Sequence, residues 1–150
     1  MMDQYGTQPD FLFSRDSIAL ACTRAREAVV SNFSEHLNRW EITEQQWRII
    51  RILHDTKKLS LTDLCKESCI HKASMTRIIA NLLDKGWVLR EKDPSDSRSI
   101  SVSLTEAGEK FVIEAKEIGN QIYADIYKKY GYQKTKLLLE MLNDLESVRK

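Results

Sequence analysis

The stretch from Leu61 to Gly108 constrains the fold most, because its residues predict, in this order, a helix, a tight turn, a second helix and two short strands. Within the second helix, apolar residues recur at the i, i+3, i+4, i+7 and i+8 positions of one stripe. They are Met75, Ile78, Ile79, Leu82 and Leu83. This spacing predicts a helix with one buried face. Gly86 follows at a position where helices often end in a residue of positive φ.

The opposite side of this helix carries small and hydrogen-bonding side chains toward its N-terminus, whereas the acidic Asp84 lies at its far end. Arginine and asparagine can bond the edges of guanine and adenine, and short residues allow close approach to a major groove. We therefore expect five residues to face a major groove: Lys72, Ser74, Thr76, Arg77 and Asn81. The alternative is an ordinary amphipathic helix with a solvated polar face.

Two predicted strands, Trp87–Lys92 and Ile100–Leu104, are separated by a polar loop that contains Pro94. Apolar and serine residues alternate in the second strand, as in a half-buried strand. A helix-turn-helix followed by a hairpin is a winged helix-turn-helix. The fold class is therefore mainly α with a small β-hairpin wing (α+β), with further helices at both ends of the chain.

The wing loop carries the second group of candidate contacts. Arg98 lies at the loop tip, where a guanidinium can enter a minor groove, and Asp96 is close enough to orient it. Arg90 and Lys92 flank the loop, and we expect them to contact phosphates. An exposed charged turn with no such role is the alternative.

Three short segments in this region resemble the wing signature of the MarR family of transcription regulators: Gly86–Arg90, Asp93–Arg98 and Ser103–Gly108. Ala25–Ala28 and Thr43–Leu53 are similar to the subgroup that controls the catabolism of aromatic acids such as homoprotocatechuate and hydroxycinnamates. The resemblance covers roughly residues 17 to 145. It implies a dimeric transcriptional repressor that binds double-stranded DNA and responds to a small aromatic acid.

Helical periodicity extends on both sides of the winged helix. A first helix begins near Ser14 or Ser17 and carries one apolar seam without a break as far as Leu37. A long fifth helix begins at Thr105 and ends by Gly131, and a sixth begins at about Gln133. Two further helix starts are predicted by capping pairs, Thr43 with Gln46 and Ser60 with Asp63.

With 150 residues and 42% hydrophobic content, the chain fits a single domain. We expect residues 43–104 to form the DNA-binding lobe and residues 14–40 and 105–150 to form dimerisation helices, because one small lobe cannot cover their apolar seams. A two-fold homodimer would hold two recognition helices ~34 Å apart, and its operator would be an inverted repeat.

The resemblance also implies a site for a small anionic aromatic effector between the dimerisation helices and the DNA-binding lobe. Arg26 is the candidate partner for a carboxylate, with Arg24 as a competing candidate. The candidate walls of the site are Ser31, His36, Trp40 and Trp47. Surface charges and a core tryptophan are the alternative interpretation.

Two other sensing chemistries are compatible with the sequence. Cys65 and Cys69 are spaced i, i+4 with His71 nearby, as in part of a zinc site, although no further residues complete four ligands. Cys22 could be an oxidant-sensing thiol if neighbouring cations lower its pKa. Otherwise we expect the three cysteines to be reduced and to act mostly as small core residues.

Other classes of protein fit the sequence poorly. There is no glycine-rich phosphate loop, nucleophile elbow or fixed carboxylate pair, so we expect no enzyme, no catalytic residues, no resident metal and no cofactor. A winged helix that binds a protein partner remains an alternative, which the salt dependence of binding would distinguish. No apolar run approaches a membrane span and Met1–Phe13 lacks the pattern of a signal peptide, so we expect a cytoplasmic protein.

Overall fold

The computed structural model describes Leu12, residues 17–96 and residues 98–150. The chain divides into two compact units, Met1–Glu35 and His36–Lys150. The expected helix start at Ser14 lies outside the described residues. The alternative start is confirmed, since Ser17 is the N-cap of α1 and its hydroxyl accepts a hydrogen bond from the backbone N–H of Leu20 at 3.4 Å.

The first unit contains α1, Ile18–Val30, followed by a 3₁₀ turn, Ser31–Phe33. The sequence had predicted one continuous helix here, and the structure interrupts it. The Ser31 hydroxyl donates to the carbonyl of Ala28 at 2.8 Å, and the Asn32 amide donates to Ala28 and Val29 at 2.9 and 3.3 Å. Such side chains compete with the helical backbone hydrogen bonds and favour a tighter turn.

The remaining elements follow in chain order. They are α2 Ser34–Arg39, α3 Glu44–Thr56, β1 Lys58–Ser60, α4 Leu61–Ser68, α5 Lys72–Asp84, β2 Val88–Lys92, β3 Ile100–Leu104, α6 Glu106–Tyr130 and α7 Tyr132–Leu145, with a final 3₁₀ turn at Glu146–Val148. The predicted caps are confirmed: Thr43 and Gln46 form a reciprocal capping box, and the hydroxyls of Ser60 and Thr105 accept bonds from first-turn backbone N–H groups.

The three strands form one antiparallel sheet in the order β1-β3-β2. The predicted hairpin is confirmed, with Val88 opposite Leu104 and Lys92 opposite Ile100. The sequence analysis missed β1, which pairs Lys58 with Ser103 and Ser60 with Ser101. A three-residue strand is too short to show the alternation by which strands are recognised.

The core of the second unit joins α3, α5 and the sheet. Its most deeply buried side chains are Ile49, Ile50, Leu53, Leu64, Met75, Leu82 and Val102. The helix-turn-helix geometry depends on two backbone positions of positive φ, Cys69 at 56° after α4 and Gly86 at 75° after α5. Together they end the two helices within the second unit and fix the direction in which α5 leaves the core.

Several large apolar side chains of α1, α6 and α7 are exposed in the part of the chain that the structure describes. They are Ile18 and Leu20 of α1, Ile113 and Ile118 of α6, and Leu137, Leu139, Met141 and Leu142 of α7. Exposed apolar surfaces on this scale usually mark an interface.

Gly108, in the first turn of α6, permits the contact between α6 and the start of the wing. A Cβ atom at this position would overlap the carbonyl oxygen of Trp87 and lie 3.3 Å from Cδ2 of Leu104. At Gly119 in the same helix, the nearest atom to an added Cβ is Cζ2 of Trp47, at an ordinary contact distance of 3.8 Å.

We therefore expect Gly108→Ala to lower the free energy of unfolding by about 3 kcal/mol, at the upper end of the cost of overpacking. The matched variant Gly119→Ala should leave stability unchanged or raise it by up to about 1 kcal/mol, because alanine is the better helix former. Urea denaturation followed by circular dichroism measures both. Equal effects of the two substitutions would contradict the packing described at Gly108.

Candidate nucleic-acid interface

The structure separates the two sides of α5 as the sequence predicted. Met75, Ile78, Ile79 and Leu82 are buried and Leu83 is half-buried. On the other side, Lys72, Thr76, Arg77 and Asn81 are exposed, and Ser74 is half-buried. Five side chains that can bond base edges or phosphates thus lie along one open helix surface, which we call the recognition surface.

The N-terminus of α5 suits an approach to phosphate. His71 occupies the N-cap position with no side-chain capping bond, and the first turn contains no acidic residue. The first backbone N–H groups of a helix lack intrahelical partners and carry partial positive charge. Lys72, the first residue of the helix, adds a formal charge at the same end.

The wing loop is held by hydrogen bonds within itself. Asp93 accepts a bond from the backbone N–H of Ser95 at 2.9 Å and one from its hydroxyl at 2.7 Å. The backbone bond, followed by the hydroxyl bond, lowers the pKa of Asp93 from its ordinary value. Asp93 also donates its own backbone N–H to the carbonyl of Ser99 at 2.9 Å, which closes the loop.

Asp96 and Arg98 lie together at the loop tip. The carboxylate Oδ1 of Asp96 accepts from the backbone N–H of Arg98 at 3.0 Å and lies 3.6 Å from its Nε. The Arg98 side chain is 93% exposed. Residue 97 is outside the described residues. The guanidinium of Arg98 therefore extends into solvent, with the Asp96 carboxylate next to its Nε. Arg90 and Lys92 are exposed on the adjoining strand β2.

Arg48 fixes the turn between α4 and α5, and the sequence analysis did not identify it. Its guanidinium makes two bonds to Glu44, at 2.6 and 3.2 Å, and donates a third to the carbonyl of Ser68 at 2.7 Å. Ser68 is the last residue of α4. The spacing of Glu44 and Arg48 indicates an i, i+4 pair, but the bond to Ser68 depends on the tertiary fold.

The effector candidates from the sequence fall in both units. In the first unit, Arg26 is exposed and pairs with Glu27 at 3.2 Å, and the Ser31 hydroxyl is bonded to the Ala28 carbonyl. In the second unit, three aromatic candidates lie together: the ring centroids of His36 and Trp40 are 5.8 Å apart, and those of Trp40 and Trp47 are 5.3 Å apart.

Trp47 and Arg51 carry unused hydrogen-bond donors. Among the described residues, two buried side-chain nitrogens, Nε1 of Trp47 and Nε of Arg51, lack a partner. Trp47 is only 4% exposed, and Cζ of Arg51 lies 5.3 Å from the centroid of its ring. A buried donor without an acceptor is costly, so this pair favours an anionic group. Arg51 was missed, although its i+4 spacing from Trp47 puts both on one face of α3.

The cysteines differ from the sequence-based expectation. Cys22 and Cys69 are exposed and Cys65 is half-buried, so the expectation that they are mostly core residues is wrong. Cys69 ends α4 in the left-handed conformation and does not continue the helix of Cys65. No group of three or more histidine, cysteine or acidic side chains in the described part of the chain could hold a metal ion. Across the same residues, no helix is long and apolar enough to span a bilayer.

Comparisons with known proteins identify similar chains. Residues 42–100 match the model of the MarR family. The transcriptional regulator FarR of Neisseria gonorrhoeae is 37% identical over 88% of this chain and 90% of its own length. The homoprotocatechuate degradative operon repressor of Escherichia coli is 34% identical over 86% of this chain and 87% of its own length. The crystal structure of NadR in complex with 4-hydroxyphenylacetate superposes with a TM-score of 0.82. That match covers 95% of this chain and 99% of the NadR chain, with 36% sequence identity.

If Arg98 enters a minor groove, Arg98→Ala should weaken binding to an operator duplex selected from random sequences by about 1–3 kcal/mol per half-site. Arg98→Lys keeps the charge but removes the planar fork, so its loss should be smaller. Fluorescence anisotropy over a series of salt concentrations measures both affinities and their salt dependence. An alanine variant with wild-type affinity would refute this role for the wing.

Proposed function

The chain belongs to the MarR family of DNA-binding transcriptional regulators, and we propose that it is a dimeric repressor released from its operator by a small aromatic carboxylate. Members of this family are regulators and not enzymes. The observation that carries the proposal for this chain is the open recognition surface of α5 together with the exposed guanidinium of Arg98 on the wing.

In this proposal, α5 lies in the major groove and the wing reaches the adjacent minor groove. The major-groove residues are Lys72, Ser74, Thr76, Arg77 and Asn81. Arg98 enters the minor groove with Asp96 orienting it, and Arg90 and Lys92 contact phosphates. Arginine bonds guanine and asparagine bonds adenine in a major groove, so Arg77 and Asn81 are the residues expected to discriminate bases.

Dimerisation in this proposal uses the two ends of the chain, residues 14–40 and 105–150, around the DNA-binding lobe at 43–104. The exposed apolar side chains of α1, α6 and α7 support this assignment. Regulators of the family bind operator DNA as dimers, and two-fold symmetry requires an operator with inverted half-sites. We place the protein in the cytoplasm, where operator DNA lies in bacteria such as those of its relatives.

The proposed effector is a phenolic or phenylacetic acid. Its support comes from the names of two relatives, a repressor of a homoprotocatechuate degradative operon and a regulator bound to 4-hydroxyphenylacetate. The unpartnered donors of Trp47 and Arg51 would bind the carboxylate, and Trp40 and His36 would extend the aromatic wall. Arg26 and Ser31 of the first unit remain the sequence-based candidates for the same ligand.

The Arg51 assignment can be tested with 4-hydroxyphenylacetate as the probe. At a concentration of 100 times its Kd, the ligand should stabilise the wild type by about 2.7 kcal/mol and raise its Tm. Arg51→Gln should weaken the affinity roughly 10- to 100-fold, as expected for a lost charge-assisted bond. Arg26→Gln is the matched control, and differential scanning fluorimetry measures all three proteins.

The two arginine variants distinguish the competing assignments. A thermal shift lost in Arg26→Gln and kept in Arg51→Gln would assign the carboxylate to Arg26. The same titration with the selected operator present should show release of the duplex as ligand is added, because a ligand that favours the free protein must lower DNA affinity. Stabilisation by the ligand without release would contradict the proposed induction.

A further inference from the structure

Four aromatic rings of the second unit form a continuous cluster, and it extends from Trp47 to the base of the wing. The Phe111 ring of α6 stacks on Trp87, with centroids 4.3 Å apart and planes 16° apart. The Phe111 ring is also nearly perpendicular to the rings of Trp40 and Trp47, with centroid distances of 5.5 and 6.2 Å. Phe111 is therefore the ring shared by the proposed effector site and the wing.

Trp87 is joined by its backbone to the elements that would contact DNA. Its N–H donates to the carbonyl of Leu82, in the last turn of α5, at 3.1 Å. Its carbonyl accepts from the N–H of Thr105, just after β3, at 3.0 Å. The ammonium of Lys85 also lies 5.2 Å from its ring centroid. A displacement of Trp87 would therefore shift the end of α5 and the start of β2 together.

At the other end of the cluster, Trp47 has the unpartnered Nε1 donor. An acceptor that binds there changes the preferred position of this ring. In an interior packed as densely as an organic crystal, one ring cannot move without its neighbours adjusting. The perpendicular contact between Trp47 and Phe111 is the one through which such an adjustment reaches Trp87.

We propose that the rings of Trp47, Phe111 and Trp87 are the coupling element between the effector site and the DNA-binding surface. The proposal rests on the proposed function, because it requires both sites. Coupling between two binding sites is reciprocal, so operator binding must also change the environment of the Trp47 ring. A separate route is available through α3, where Arg48 holds the carbonyl of Ser68, and the test must distinguish the two.

Fluorine NMR of protein labelled with 5-fluorotryptophan provides this test without any effector. The chain has three tryptophans, Trp40, Trp47 and Trp87, and all belong to the cluster. Single Trp→Phe variants assign the three resonances. Addition of the selected operator should shift the Trp47 resonance of the wild type as well as that of Trp87, and the titration also gives the DNA affinity.

Two variants decide the route. Phe111→Leu removes the shared ring from α6, and it should abolish the operator-induced shift of Trp47 while the protein still binds DNA. Trp87→Phe keeps a stacked ring and should preserve that shift. Trp87→Leu removes the opposite partner of the same stack and replaces Phe111→Leu if that variant does not fold.

The operator-induced shift of the Trp47 resonance decides the outcome. If this resonance does not move in the wild type on operator binding, the proposal is overturned. It is also overturned by an unchanged Trp47 shift in Phe111→Leu, which would assign the coupling to α3. Absence of DNA affinity in the wild type would instead refute the proposed function on which the inference rests.

Discussion

The burial of the apolar stripe of α5 is the constraint on which the proposed interface depends. Met75, Ile78, Ile79 and Leu82 are each at most 5% exposed, and burial of such side chains contributes ~1.5–3 kcal/mol apiece. Successive residues of an α-helix are about 100° apart, so rotation of α5 by one residue in one direction would put Ser74, Arg77 and Asn81 in the places of Met75, Ile78 and Leu82. The same packing that stabilises the lobe therefore fixes Arg77 and Asn81 outward.

The junction between the wing and α6 joins the lobe to the long helix. Thr105 caps α6 with its hydroxyl, which also donates to the carbonyl of Gly86 at 2.6 Å, while Gly108 allows the Trp87 carbonyl to approach. His54 of α3 and Glu109 of α6 add a contact at 2.6 Å. These short-range contacts give α6 a defined position on the proposed DNA-binding lobe, as the proposed coupling between effector and operator requires.

Features determined by local chemistry could be predicted from the sequence. The α5 stripe, the hairpin and the caps at Thr43, Ser60 and Thr105 depend on spacing and on residues within one turn. The missed features depend on tertiary contacts or on competing local bonds. Strand β1 pairs with β3 between distant parts of the chain, as in Ser60 with Ser101. The donors of Arg51 and Trp47 are unpartnered only because of their burial. The exposure of Cys69 follows from the left-handed end of α4, which its residue type does not indicate.

The most direct test of the account is dimethyl sulfate protection of a selected operator, because this reagent reports guanine N7 atoms in the major groove. If the buried stripe of α5 holds the recognition surface outward in a two-fold dimer, guanines should be protected in two clusters about one helical turn apart, on one face of the duplex. Strong binding without any protected guanine N7 in a guanine-containing half-site, or clusters on opposite faces, would contradict it.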